Sequence, residues 1–436
     1  MFNDCVRTAE GGLSPSSLGV CNCISPAADR PNSNSGPSKP HIVIGITSAQ
    51  TCLVLRDRLR TLRESGFRVT LVSSPGELLN RTAAQEGIEP VAIPMRREIA
   101  PLADLMALLR LCWLLWRLRP EMTEFSTPKA GLLGSIAALL CGVPSRVYFL
   151  RGLKLETCAG IKFRILLAAE RIAAACSHTV LCNSDSLLKM ALVLGVAPQS
   201  KLRLLGSGSS NGVDIERFHP GPDSLRGHLG IPSAAEVVGF VGRLTRDKGV
   251  PELVEAFDAI LAARPNTHLL LVGWFDAAED AIDPALRSRI QSHPHIHYTG
   301  FVADTAPYYR VMDILVLPTW REGFPNAVLE AAASGVPVVT TLATGSRDAV
   351  LPEVTGLLIP PGYPVAICES VLRLLCDQEQ SRRMGWAARA WVLENYVNER
   401  VLGQTAEYYK SLVDRTRPGI RWNEPGSASP VLEPAA

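Results

Sequence analysis

The sequence predicts an α/β protein made of two Rossmann-like, doubly wound domains that face each other across a cleft. Three observations carry that prediction. Continuous apolar runs such as His41-Ile-Val-Ile-Gly-Ile-Thr47 and Val237-Val-Gly-Phe-Val-Gly242 read as parallel strands buried on both faces. Such runs alternate with helical periods in two separate series, as parallel sheets covered by helices require. At 436 residues the chain also exceeds what one hydrophobic core organises.

Residues 1–40 are rich in Ser, Pro, Asn and Gly and lack the apolar stretch of a signal peptide, so they read as a disordered extension. The N-terminal domain, 41–205, opens on the strand at His41. A helix is expected over Leu53–Glu64 and a strand over Phe67–Val72. Strand and helix then alternate through Val91–Pro94, Leu102–Leu118, Gly131–Leu140 and Arg146–Leu150, closing with a helix at Phe163–Ala175 and a strand at Thr179–Cys182. Turn formers in Gly206-Ser-Gly-Ser-Ser-Asn-Gly-Val-Asp214 and Phe218-His-Pro-Gly-Pro222 mark a linker, 206–235. The second domain, 236–385, proceeds through the strand at Val237, a helix at Pro251–Ala263, and strands at His268–Val272, Val311–Leu317 and Val336–Thr341. Residues 365–376, 380–395 and 401–412 have helical periods. Residues 386–412 are assigned as C-terminal helices and 413–436 as a flexible tail.

Net charge is only +2, but it is unevenly spread: residues 41–200 hold 19 Lys/Arg against 12 Asp/Glu, and residues 201–436 hold 22 against 27. A basic first half suits a diphosphate or a lipid headgroup better than nucleic acid. The eleven cysteines form no CxxC pair or His-spaced cluster, so no metal site is expected. Cys52, Cys112, Cys141, Cys176, Cys182 and Cys376 sit among apolar neighbours, as buried thiols of a reducing, cytoplasmic compartment do, and Cys21 and Cys23 lack further ligands. The most apolar stretch, Ile99 to Arg119, is interrupted by Arg110 and Arg117, which argues against a membrane span. It reads instead as a core helix, or as an interfacial helix presenting Trp113 and Trp116 to lipid.

The chemistry concentrates in two segments. Thr319-Trp-Arg-Glu-Gly-Phe-Pro-Asn-Ala-Val-Leu-Glu330 places Glu322 in a Gly/Pro turn and Glu330 inside an apolar helix, where a carboxylate needs polar partners. That helix opens at Pro325-Asn326, so its unpaired N–H groups and positive dipole end lie near Glu322. The second segment, Gly242-Arg-Leu-Thr-Arg-Asp-Lys-Gly249, follows a strand and lets Arg243 and Lys248 converge on one diphosphate. Carboxylates for hydroxyls beside cations for phosphate suit a ligand that is part sugar, part phosphate. A glycosidase fits poorly: if most of 322–330 is helical, eight residues separate the two carboxylates by roughly 12 Å, against roughly 5–9.5 Å for hydrolytic pairs. No G-x-G-x-x-G supports a dinucleotide site.

Gly242-Arg-x4-Lys-Gly249, Glu322-Gly-Phe-Pro-Asn-x3-Glu330 and Gly335-Val-Pro-Val-Val339 together resemble the family 4 glycosyltransferases, retaining, metal-independent enzymes of the GT-B fold. Ser126-Thr-Pro-Lys-Ala-Gly131, Leu150-Arg-Gly152 and the 206–214 segment resemble the bacterial branch that builds glycans on a polyprenyl diphosphate carrier. The resemblance implies a nucleotide-sugar donor, a UDP-sugar foremost, and a glycan or lipid-linked acceptor, with no cofactor. Arg243 and Lys248 would hold the diphosphate, Glu330 the ribose hydroxyls and Glu322 the transferred sugar, assisted by the backbone of Gly323, Phe324, Pro325 and Asn326. Many members carry a His where this chain has Ser126. Lys129 and Arg151 are further candidates for the acceptor side of the cleft. A nucleotide-sugar epimerase of the same fold and a non-catalytic relative are the alternatives. The basic N-domain makes peripheral contact with the inner face of the cytoplasmic membrane a further expectation.

Overall fold

The computed structural model describes residues 39–276, 280–420 and 422. The expected extension over 1–38, Cys21 and Cys23 within it, and the tail from 423 onward lie outside the described residues.

Seven strands form one wholly parallel sheet: β1 (His41–Gly45), β2 (Arg68–Ser73), β3 (Glu89–Ala92), β4 (Met122–Ser126), β5 (Ser145–Leu150), β6 (Thr179–Cys182) and β7 (Leu202–Leu204). Their spatial order is β3-β2-β1-β4-β5-β6-β7. Six strands form the second: β8 (Glu236–Val241), β9 (Thr267–Val272), β10 (Ile296–Tyr298), β11 (Ile314–Leu317), β12 (Val338–Thr341) and β13 (Gly356–Ile359), in the order β10-β9-β8-β11-β12-β13. Both orders reverse once, between β1 and β4 and between β8 and β11. Successive connections leave these strand pairs in opposite directions and open a crevice at the carboxyl ends, where open α/β sheets bind ligands.

The first sheet is covered by helices α1 (Arg58–Glu64), α2 (Glu77–Glu86), α3 (Pro101–Leu118), α4 (Pro128–Leu140), α5 (Gly160–Cys176) and α6 (Asp185–Val193). The second carries α7 (Val250–Ala263), α8 (Pro284–Ser292), α9 (Ala306–Tyr309), α10 (Asn326–Ala333), α11 (Pro364–Cys376) and α12 (Gln378–Asn395). The last helix, α13 (Asn398–Thr416), returns to the first sheet: Ala406, Tyr409 and Val413 share a core with Ile42, Leu59 and Val147. Two backbone crossings therefore join the sheets, and they run side by side through paired Val213 and Val397.

The structure corrects four details. The single helix expected over Leu53–Glu64 is split into a 3-10 turn at Ala49–Leu55 and α1. Asp57 between them adopts the left-handed region at φ 63°, which a short polar side chain tolerates. The Glu86 carboxylate on α2 accepts from the N–H groups of Asp57 (3.1 Å) and Arg60 (3.0 Å), so α1 is capped from another helix. The tail does not begin at 413, because Val413 is buried and Trp422 packs on Phe67 with ring centroids 5.0 Å apart. Cys376, at the end of α11, is exposed, and Cys112 and Cys141 are only half-buried.

The core of the first sheet contains a charged cluster centred on Glu124. Glu124, in the central strand β4, is fully buried and accepts from Arg58 Nη2 (2.7 Å) and the Tyr409 hydroxyl (2.5 Å). Arg58 also donates to the Ser210 carbonyl at 3.0 Å. One guanidinium thus ties together α1, β4, the linker and α13. No described helix is long and apolar enough to cross a membrane.

Candidate functional site

The site grows from the crevice between β8 and β11. After β8 the chain turns at Gly242 and presents Arg243, whose Nη1 donates to Asp276 Oδ2 at 2.8 Å. A short 3-10 turn at Arg246–Lys248 follows and ends on Gly249 at φ 72°. A Cβ there would stand 2.0 Å from the Pro318 carbonyl, so only glycine lets this loop lie against the end of β11. Asp247 stitches the two loops: its buried carboxylate accepts from Thr245 Oγ1 (2.6 Å) and Arg321 Nη2 (2.8 Å), and its carbonyl accepts from the Trp320 N–H (2.9 Å). Burial works to raise the Asp247 carboxyl, but the Thr245 hydroxyl and the Lys248, Arg321 and Arg243 charges hold it below its usual value.

This stitching brings Lys248 against Glu322, and Lys248 Nζ donates to Glu322 Oε1. Both side chains are largely but not wholly buried. Next along the chain, Gly323 passes so close to the first sheet that a Cβ would lie 2.1 Å from the Arg151 carbonyl oxygen. Phe324 is buried, with its ring 5.3 Å from that of Tyr396. Pro325 precedes the first turn of α10, and Asn326 begins it, as the sequence predicts. Residues 322–325 are not helical, and the two carboxylates have different partners. Glu330 Oε2 accepts from the Tyr309 hydroxyl at 2.7 Å and from Thr305 at 3.4 Å. Burial pushes the Glu330 carboxyl above its ordinary value.

The opposite wall comes from the first sheet. Ser186, on α6, donates its hydroxyl and its N–H to Asp348, and accepts from the Gly345 N–H at 2.7 Å. Arg321 reaches Thr157 at 3.3 Å. Ser126 ends β4 fully buried, its hydroxyl without a partner. The next residue, Thr127, sits at φ 71°, and its hydroxyl bonds Thr47 at 2.7 Å across the β1–β4 switch point. Backbone strain of this kind collects at functional sites. Lys129 is held by Asp104 at 2.6 and 2.7 Å and by the Glu98 carbonyl, an ion pair within the first domain. The Arg151 guanidinium turns under the strand ends, 4.4 Å from the Phe149 ring and 3.6 Å from Glu124, while its carbonyl meets Gly323. Burial, with the Arg58 charge behind it, brings Arg151 down to about 10.

Of the residues that sequence reasoning selects, the structure brings Lys248 to Glu322 and sets Arg243 3.9 Å from Asp247 on the same loop, while Glu330 bonds Tyr309 and Thr305 instead. Sequence reasoning misses Asp247, and it misses Asp276, Tyr309 and the Ser186–Asp348 pair, whose partners lie 33, 21 and 162 residues away in the chain. Asp247 alone carried a local signal, sitting between the two basic residues of the loop.

Two facing parallel sheets, each reversing once, with cations after β8 and carboxylates on the α10 segment, define a GT-B glycosyltransferase. Family models match both halves: "Glycosyl transferase 4-like domain" over residues 54–208 and "Glycosyl transferases group 1" over residues 235–377. The capsular polysaccharide biosynthesis glycosyltransferase CapM of Staphylococcus aureus is 33% identical over 363 residues, covering 83% of this chain and 94% of CapM. An Escherichia coli UDP-Gal:alpha-D-GlcNAc-diphosphoundecaprenol alpha-1,3-galactosyltransferase is 26% identical over 288 residues, covering 65% of this chain and 73% of its own. Anabaena HepE in complex with UDP-glucose shares the fold at a TM-score of 0.72 and 20% identity, over 85% of this chain and 100% of HepE. The chain belongs to the family 4 glycosyltransferases.

Proposed function

We propose that this enzyme transfers a sugar from a UDP-sugar, with retention, to a polyprenyl-diphosphate-linked glycan during polysaccharide assembly. The observation that carries the reading is the direct contact of Lys248 with Glu322, with Arg243 on the same loop after β8 and Glu330 on the helix that follows Glu322. Two cations suit a diphosphate, and two carboxylates suit the hydroxyls of ribose and sugar. The names of the Escherichia coli and Staphylococcus aureus relatives support the acceptor and the setting.

In this reading Arg243 and Lys248 neutralise the departing diphosphate, a task that elsewhere falls to a metal ion. Tyr309 and Thr305 fix Glu330 Oε2, leaving its other oxygen for the ribose. Glu322 exchanges Lys248 for a hydroxyl of the transferred sugar. The bond from the anomeric carbon to phosphate breaks, with its electron pair leaving on the diphosphate. The acceptor oxygen bonds the same face of that carbon, and its proton passes to the departing phosphate oxygen. Gly323 lying against Arg151 narrows the cleft and excludes water. The exposed Trp113 and Trp116 of α3 seat the enzyme on the inner face of the cytoplasmic membrane.

The test is a screen of radiolabelled UDP-, GDP- and ADP-sugars for transfer into membrane lipid extract, in the presence of a chelator. Transfer from a UDP-sugar, lost in Glu322→Gln, supports the reading. Label that never enters the lipid phase removes the proposed acceptor, and activity only with added metal removes the metal-free mechanism.

A further inference from the structure

Two thiols that the donor chemistry does not use meet in the helical layer over the first sheet. Cys112 lies in the second half of α3, and Cys141 is the residue on which α4 ends. They stand 29 residues apart in the chain, with β4 and the whole of α4 between them. Cys141 Sγ donates to the Cys112 carbonyl at 3.3 Å, and the Cys141 thiol is within hydrogen-bonding reach of the Cys112 thiol as well. Both thiols are free and half-buried, so solvent reaches them. Cys52 and Cys182 differ: they are buried in the core, and burial raises their thiols to about 11 and about 12.

The two helices that carry the pair are seated differently. A Cβ on Gly131 would stand 2.4 Å from the Tyr148 ring, and one on Gly134 would stand 2.1 Å from the Phe125 ring. These two glycines press α4 onto β4 and β5 with no slack. The seat of α3 is a single face, Ala107, Leu111, Leu114 and Leu115, while Leu105, Leu109, Trp113 and Trp116 on its other side are exposed. Asp104 ties the first turn of α3 to Lys129 at the start of α4, at 2.6 Å. The cysteines meet at the other end of the same helix pair, so a bond between them would fix α3 along its length.

We infer that Cys112 and Cys141 are a redox pair whose reversible disulfide clamps α3 to α4. The oxidant is a low-molecular-weight disulfide. One cysteine loses its proton, and its thiolate attacks a sulfur of the small disulfide, whose S–S bond breaks and releases a small thiolate. The second cysteine loses its proton and attacks the protein sulfur of the mixed disulfide. The Sγ–Sγ bond forms, the second small thiolate leaves, and the two protons end on the two released thiols. The cysteines lose two electrons and the small disulfide gains them, so an excess of small thiol runs the exchange backwards. Burial, with the Cys141 thiol beside it, raises the Cys112 thiol, which makes the exchange slow at neutral pH and faster as pH rises.

The test is incubation of the full chain with oxidised glutathione at about pH 8.5, the ordinary value of a thiol, followed by alkylation and peptide mass spectrometry without reduction. A peptide pair linked through Cys112 and Cys141 should form, and dithiothreitol should undo it. The oxidised chain should melt about 5 °C higher, because the link closes a loop in the unfolded state. Hydrogen exchange in the second half of α3 should slow on the order of tenfold. Cys112→Ser and Cys141→Ser should each abolish the linked peptides and both gains, whereas Cys376→Ser, which removes an exposed thiol at the end of α11, should keep them. Circular dichroism checks that each variant folds. Glutathione retained on Cys112 or Cys141 with no linked peptides overturns the inference. A link that leaves melting and exchange unchanged overturns the clamp.

Discussion

Lys248 and Glu322 bond each other directly, joining the loop after β8 to the segment that opens α10. The partner each would take from the donor has opposite character, phosphate for one and sugar hydroxyl for the other. Their substitutions should therefore separate kinetically. Glu322→Gln should lower kcat about 10²-fold and leave UDP affinity within a few-fold. Lys248→Ala should weaken UDP binding about 10- to 100-fold, the loss of a charge-assisted contact. Steady-state kinetics with calorimetric UDP titration distinguishes the two, and identical profiles would contradict the division of roles.

Gly323 marks where the two walls touch. A methyl group there meets the Arg151 carbonyl at 2.1 Å, with backbone on both sides. Gly323→Ala should cut kcat/KM by about 10²-fold or more, as a misplacement near 1 Å does, while circular dichroism stays native. Full activity in that variant would show that the walls are free to separate during turnover.

Tyr409 donates to buried Glu124 and accepts from Arg58. Tyr409→Phe removes a partner from a buried carboxylate and should lower stability by about 1–3 kcal/mol. Arg58→Met strands the carboxylate and should cost about 3–5 kcal/mol. Urea unfolding measures both, and equal losses would mean that Arg58 does not hold the cluster together.

Glu170 is buried on α5, where it accepts from the Tyr148 hydroxyl at 2.5 Å, and burial raises its carboxyl to about 7. A raised carboxyl means that the folded chain binds the extra proton, so this residue lowers stability as pH climbs from the unfolded value near 4.5 to about 7. Glu170→Gln should raise the Tm by about 2–4 °C at pH 8 and leave it unchanged at pH 4.5. An equal gain at both pH values would point to packing instead of ionisation.

The parallel sheets were legible because strands buried on both faces read as unbroken apolar runs, and the basic loop after β8 because Arg243 and Lys248 follow such a run directly. The start of α10 was legible from Pro325-Asn326. What was hidden depends on contacts distant in the chain. The cap on α1 comes from Glu86, which no local pattern near Asp57 announces. Lys129 reads as a loop cation until Asp104, 25 residues earlier, is seen to hold it. Arg151 was visible as a residue at the end of β5, but the inward turn of its side chain depends on Phe149 and Glu124. The return of α13 to the first sheet was likewise invisible, since its apolar spacing fits either core.

Calorimetric titration of UDP into the wild type and Lys248→Ala, with a chelator present, tests the donor assignment most directly. The account predicts metal-free binding by the wild type and affinity about 10- to 100-fold weaker in the variant. Equal affinity in both, or binding that appears only when metal is restored, would contradict it.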